Sequence, residues 1–115
     1  MKSRDLRDYL RDIIDSIDDI EDFTENMTYE QFVKDRKTLN AVVRSIEIIG
    51  EAAKQLPNEV KAKYNTLPWK EITGMRDKLI HAYFGMDTET IWVTVHKNIP
   101  TLKQTIQKLL KDQEK

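Results

Sequence analysis

The chain has no cysteine, and only three glycines and three prolines among its 115 residues. Without cysteine there is no disulfide framework, no thiolate nucleophile and no cysteine-based zinc site. So little glycine and proline favours long helices with few connections. No apolar run approaches the roughly 20 residues that a membrane-spanning helix needs. An excess of basic charge is missing too. The formal net charge is −1, whereas a dedicated nucleic-acid-binding domain is usually basic, so any contact with RNA must rest on a local basic patch. No secretory leader is visible, because Met1-Lys2-Ser3-Arg4-Asp5 runs straight into a charged amphipathic segment. A cytoplasmic location is therefore the expectation.

What is present is a chain rich in Ile, Leu, Lys, Glu and Asp, 34% charged and 39% hydrophobic. That balance suits a soluble helical protein, and the length suits one domain over residues 1–115 with one core. The first helix is expected from an N-cap at Ser3 to about Glu25. Its seam is Leu6, Leu10, Ile13, Ile17 and Ile20, at steps of four and three, widened by Tyr9, Ile14 and Phe23. The many aspartates of this segment read as a solvated acidic face, since no glycine-containing calcium loop accompanies them. Thr28 and Gln31 form a capping-box pattern for a short helix with Tyr29, Phe32 and Val33 on its apolar side. Asp35 can then cap a long helix to about Leu56, either separate from the short one or the second limb of one bent helix, with the seam Leu39, Val42, Val43, Ile46, Ile49, Ala53 and Leu56. Gly50 beside Ala52 and Ala53 points to close helix approach, within the fold or across a dimer. Arg44, Glu47, Glu51 and Lys54 line another stripe. Glu47 and Lys54 read as a wet ion-paired face, while Arg44 and Glu51 could equally look into a cleft.

Pro57 and Pro68 bracket a connection with one helical turn, Asn58 to Tyr64, capped by Asn58. Pro68 suits the first turn of the next helix, expected from Trp69 to Phe84, with Gly85 at its C-terminal cap. Asp87 or Thr88 should cap a final helix to about Lys111. Its seam is Ile91, Trp92, Val95, Ile99, Leu102, Ile106, Leu109 and Leu110, and Pro100 should kink or divide it near Asn98. The tail after Lys111 should fray. The whole reads as an all-α antiparallel bundle of four to six helices.

Reactive side chains gather in Gly74-Met75-Arg76-Asp77-Lys78-Leu79-Ile80-His81-Ala82-Tyr83-Phe84-Gly85. On a helical wheel Ile72, Met75, Leu79 and Ala82 form the core face. Arg76 and Tyr83 share one stripe, and Asp77 and His81 share another roughly 100–140° away. One helix therefore does not complete a site, and a neighbouring helix or a second subunit must finish the cleft. Imidazole exchanges protons near neutral pH, guanidinium holds a phosphate and stabilises charge growing on it, and Asp77 can orient His81 and favour its charged form. The set suits metal-free RNA cleavage, with the ribose 2′-hydroxyl attacking the adjacent phosphate. An ordinary exposed helix face carries the same residue types, and the pattern alone does not separate the two. His96, the second histidine, reads as structural or solvent-facing.

Arg76-x4-His81-x-Tyr83 resembles the Arg-x4-His-x-Tyr signature of HEPN-domain proteins of the HepT toxin type. The likeness extends over nearly the whole chain. It takes in Ile46-Glu47-Ile48-Ile49-Gly50-Glu51-Ala52-Ala53-Lys54, Pro68-Trp69-Lys70-Glu71-Ile72-Thr73-Gly74-Met75-Arg76-Asp77, and Ile91-Trp92. The resemblance implies a dimeric all-α bundle with the two motifs near an interfacial cleft. It implies a ribonuclease toxin that needs no metal or other cofactor, with Arg76 and His81 catalytic and Asp77 supporting. It further implies a minimal nucleotidyltransferase antitoxin that adenylylates Tyr83 and so silences the toxin. A helical binding module that engages such a partner as a modification acceptor, without nuclease activity, is the competing reading.

Overall fold

The computed structural model describes residues 4–74 and 88–113. Every regular element among them is helical. Helix α1 spans Leu6–Thr24, α2 Tyr29–Lys34, α3 Arg36–Lys54, α4 Asn58–Lys63 and α5 Trp69–Thr73. A final rod is built from α6 (Thr88–Val93), a π-helical turn (Thr94–Asn98) and α7 (Ile99–Gln113). Counting that rod once, six helical pieces are described, in agreement with the all-α bundle expected. No described helix is long and apolar enough to cross a membrane.

The helix starts follow from short-range polar chemistry. Asp5, not Ser3, caps α1. Its carboxylate accepts the Asp8 backbone N–H, and the Asp8 carboxylate accepts that of Asp5, each at 3.1 Å. Two orphan donors are thus satisfied reciprocally, which a serine at position 3 could not match. Asn26 ends the α1 segment in a left-handed conformation (φ 59°), which asparagine tolerates better than most residues. Thr28 and Gln31 then make the expected capping box for α2. Asp35 separates α2 from α3, and its carboxylate accepts the Thr38 backbone N–H at 3.0 Å and the Thr38 hydroxyl at 2.7 Å. Those two bonds hold Asp35 below the usual carboxylate pKa. The cap is therefore intact at neutral pH and weakens as acid protonates it. Asn58 is the first residue of α4 and not its cap; that position is taken by Pro57, with no side-chain hydrogen bond.

We expect Thr28→Ala to cost about 1 kcal/mol, the usual loss for a removed N-cap, read as a lower urea midpoint. An unchanged midpoint would mean that the capping box adds nothing to the docking of α2.

The seams pack into one core. Leu10, Ile13, Ile17 and Ile20 of α1 are fully buried, as are Val42, Ile46, Ile49 and Ala53 of α3 and Ile106 and Leu109 of α7. Each large aliphatic side chain so buried contributes about 1.5–3 kcal/mol before the entropy of ordering is subtracted. Tyr9 and Asp12 near the start of α1 border the same hollow as Ile48, Glu51 and Gln55 near the end of α3, so the two long helices are antiparallel. Lys103 of α7 pairs with Asp18 (3.3 Å) and with Glu21, while the Tyr64 hydroxyl after α4 donates to Asp112 at the far end of α7. Since α4 follows the end of α3, α7 also runs antiparallel to α1. Gly50 is buried within a single chain, together with Ala52 and Ala53, as close helix approach requires. Two residues depart from their seams: Phe23 (37% exposed) and Val33 (43%) face outward. Each lies at or next to the last residue of a helix, where neighbouring elements no longer cover the full circumference.

One further departure concerns the later helices. The single helix expected from Trp69 to Phe84 stops at Thr73, with Gly74 at its C-cap (φ −88°, ψ 0°). Glycine weakens a helix by about 1 kcal/mol relative to alanine, and the Thr73 hydroxyl bonds the Lys70 carbonyl at 3.1 Å. A Cβ at position 74 would sit 3.2 Å from that same carbonyl oxygen, so the close turn favours glycine. In the final rod, Pro100 has the expected effect in a particular form. The helix widens into the π-helical turn just before it, where the Ile99 N–H bonds the Thr94 carbonyl, five residues back. Proline cannot donate and crowds the carbonyl four residues before it, and one wider turn relieves both problems. Helix α7 continues past Lys111 to Gln113.

Candidate active site

Arg76, Asp77, His81 and Tyr83 lie outside the described residues, as does Asp87. What the structure describes is the pair of supports on either side of this motif, and the surface next to them.

The support before the motif is α5. Trp69 is buried, and its indole N–H donates to the Tyr64 carbonyl at 3.0 Å. Ile72 is buried one turn on. A five-residue helix has no stability of its own, so these two anchors and the turn around Pro68 hold it. The support after the motif is α6. The Thr88 hydroxyl and the Tyr29 phenol are hydrogen-bonded at 3.3 Å. Trp92 packs edge-on against Tyr29 (5.8 Å between centroids) and tilted on Phe32 (5.1 Å). Both supports are therefore fixed by a tryptophan, one on each side of the reactive stretch.

A hollow of about 450 Å³ opens between α5 and the π-helical turn. Leu67, Ile72 and Leu102 supply its buried apolar floor, while Glu71, Lys97 and Asn98 supply exposed polar groups. Gly74 also borders it, so it reaches the last described residue before the motif. Thr94 and Thr101 complete the π-turn side, and their hydroxyls already donate to the Thr90 carbonyl (2.8 Å) and the Lys97 carbonyl (3.4 Å). The grouping of Lys97, Asn98 and Glu71 around one hollow is not evident from the sequence pattern. The available signals were Gly74, which ends α5 early, and Pro100, which disturbs the helix facing it.

The other candidates separate. Arg44 pairs with Glu47 at 3.3 Å on the outer face of α3, with its side chain 63% exposed. Glu51 borders a second hollow, of about 410 Å³, with Tyr9, Asp12 and Gln55. Arg4 also borders it and bonds Asp12 at 2.8 Å. Arg44 and Glu51 thus do not share a cleft. His96 is exposed and packs tilted against Trp92 with 4.0 Å between ring centroids, and its Nδ1 bonds the Trp92 carbonyl at 2.9 Å. It is both structural and solvent-facing. Among the described residues, no three His, Asp or Glu side chains are grouped to hold a metal ion.

Comparison with known proteins places these observations in a family. Residues 13–109 match the family model described as "Ribonuclease HepT-like". A Methanocaldococcus jannaschii protein named "Putative RNase MJ1216" is 47% identical over 114 residues, which cover 99% of this chain and 94% of the relative. A second protein of that organism, "Putative RNase MJ0125", is 46% identical over 99% of this chain and 98% of its own length. "Probable ribonuclease HepT" of Thermococcus cleftensis is 50% identical over 108 residues, 94% of this chain and 98% of the relative. No solved structure gives a significant match. The match over most of the chain, and identities near one half along nearly its full length, show that the chain belongs to the HepT-like ribonuclease family.

Proposed function

We propose that this chain is a metal-independent endoribonuclease, one HEPN-like domain over residues 1–115, acting as the toxin of a type II toxin–antitoxin pair in the cytoplasm. The observation that carries the reading is Arg76-x4-His81-x-Tyr83 in a chain of the HepT-like ribonuclease family. In the reaction, the 2′-hydroxyl oxygen of the RNA attacks the neighbouring phosphorus. His81 takes the hydroxyl proton, and the bond from phosphorus to the 5′-oxygen breaks. The departing oxygen receives a proton from an imidazolium, leaving a 2′,3′-cyclic phosphate and a 5′-hydroxyl. Arg76 stabilises the extra negative charge on the phosphorane-like state, and Asp77 orients His81. A homodimer brings two motifs to one cleft, so that one imidazole can accept the proton while the other donates.

Tyr83 is the switch in this proposal. Its phenolate oxygen attacks the α-phosphate of ATP bound to a minimal nucleotidyltransferase antitoxin, and pyrophosphate leaves. The adenylyl group adds bulk and negative charge beside Arg76 and His81, and so excludes an RNA phosphate by volume and by repulsion.

Two measurements test the proposal. The purified chain should cleave single-stranded RNA in EDTA and leave cyclic phosphate ends; intact RNA under those conditions would refute the nuclease. Mixed with its nucleotidyltransferase, ATP and magnesium, the chain should gain one adenylyl mass, and Tyr83→Phe should not. Equal gain on both would remove Tyr83 as the switch. Adenylylation without any cleavage would favour the non-catalytic binding module.

A further inference from the structure

We propose that the hollow between α5 and the π-helical turn is a base-recognition subsite that takes one unpaired guanine of the RNA, next to the phosphate being cut. The proposal rests on the ribonuclease reading above and deepens it. Three observations carry it. The first is size and shape: about 450 Å³ falls in the range of small-ligand sites, roughly 300–1,000 Å³. The buried floor of Leu67, Ile72 and Leu102 offers an apolar surface to the face of a flat ring. The second is the polar rim. Glu71, Lys97 and Asn98 border the hollow and are exposed, and none of the three side chains has a hydrogen bond or ion pair among the described residues. Glu71 and Lys97 share the hollow with opposite charge and are not paired with each other, which suits a ligand that is neutral on one edge and anionic elsewhere. The third is position. Gly74 borders the hollow, and Arg76 follows two residues later, a chain length of at most about 7 Å.

The chemistry selects among bases. Sequence-specific recognition of RNA acts mainly on unpaired bases, through hydrogen bonds to their Watson–Crick edges. A carboxylate accepts hydrogen bonds through two oxygens side by side. Guanine presents two adjacent donors, N1–H and the N2 amino group, that match it. Adenine and cytosine place an acceptor beside their amino group, and uracil flanks its one N–H with two carbonyls. The Asn98 amide can donate to guanine O6, and the Lys97 ammonium can meet a phosphate. The subsite also answers a difficulty of charge. With a net charge of −1, the chain has no overall cationic excess to support the sequence-independent attraction of a polyanion, and a pocket that reads one base with one lysine does not require one.

The test uses the full chain and a single-stranded RNA pool with randomised positions, the products being sequenced. Wild type should enrich guanine at one position beside the cut. Glu71→Gln, which replaces one acceptor by a donor, should reduce that enrichment about 5- to 100-fold while cutting continues at other bases. Cutting by wild type with no base preference beside the scissile bond, or undiminished guanine enrichment in a folded Glu71→Gln protein, would overturn the subsite and leave the ribonuclease standing. If wild type cuts no RNA, the ribonuclease reading fails and calorimetry decides on the subsite alone. Guanosine 5′-monophosphate should then bind at least fivefold tighter than the adenosine, cytidine and uridine monophosphates, with the difference lost in Glu71→Gln. Equal binding of all four would refute it.

Discussion

Replacing His81 by alanine will abolish RNA cleavage, with a loss on the order of 10²–10⁴-fold, the usual contribution of general acid–base catalysis. The expectation is large because the chain has only two histidines, and the other is engaged elsewhere. The ring of His96 lies on Trp92, and its Nδ1 is tied to the Trp92 carbonyl. No other side chain in this sequence exchanges a proton near neutral pH without a large environmental shift. His96→Ala should accordingly leave cleavage close to wild type, so the pair of variants separates a catalytic imidazole from a structural one. Circular dichroism of the His81→Ala protein must show the same helix content, and its migration on size exclusion must be unchanged. Full cleavage by such a folded protein would sink the mechanism, and loss of cleavage in His96→Ala alone would move the chemistry to the Trp92 stack.

Phe32→Ala carries the second large effect, a destabilisation of about 3–5 kcal/mol. Single-domain proteins hold about 5–15 kcal/mol in all, so this one side chain accounts for a substantial share. Phe32 is fully buried and is the one buried residue of α2, a helix of six residues that cannot persist in isolation. It packs on Trp92, while Tyr29 of the same helix bonds Thr88. Loss of Phe32 should therefore loosen the support that follows the reactive stretch as well as the core. Urea unfolding followed by tryptophan fluorescence reads both, through the midpoint and through the native-state emission. A midpoint change worth less than about 1 kcal/mol would show that α2 is dispensable to the bundle and that the cavity collapses easily.

The parts of the fold legible in the sequence are those decided within about four residues. Thr28 with Gln31, and Asp35 with Thr38, each settle a helix start through bonds to nearby backbone. The seams of α1, α3 and α7 are equally local, because one repeat places Ile13, Ile17 and Ile20 on one line whatever they later meet. Where two nearby residues could do the same task, the outcome turned on a partner. Asp5 prevails as cap because Asp8 returns its bond. Phe23 and Val33 face outward despite their place in the repeat, because exposure at a helix end depends on neighbours that the repeat does not encode. The same division holds for the site. Arg76, Asp77, His81 and Tyr83 can be picked out by residue type and spacing alone. The hollow cannot, since Glu71 and Lys97 come to border one space only after α5 has stopped at Thr73 and been placed beside the π-helical turn.

That turn has one more consequence. A π-helical turn holds one residue more than an α-helical turn. Everything after it is therefore set back by about one residue's advance, roughly 100° around the axis. Read with an unbroken helical repeat, Ile91, Val95, Ile99, Leu102, Ile106 and Leu109 form one straight line. In the folded chain the line is stepped. Before the step, Trp92 of α6 meets Tyr29 and Phe32 of α2; after it, Lys103 of α7 meets Asp18 and Glu21 of α1. The last rod thus behaves like a shaft with two cams keyed at different angles. Pro100, next to the step, sets the phase between them.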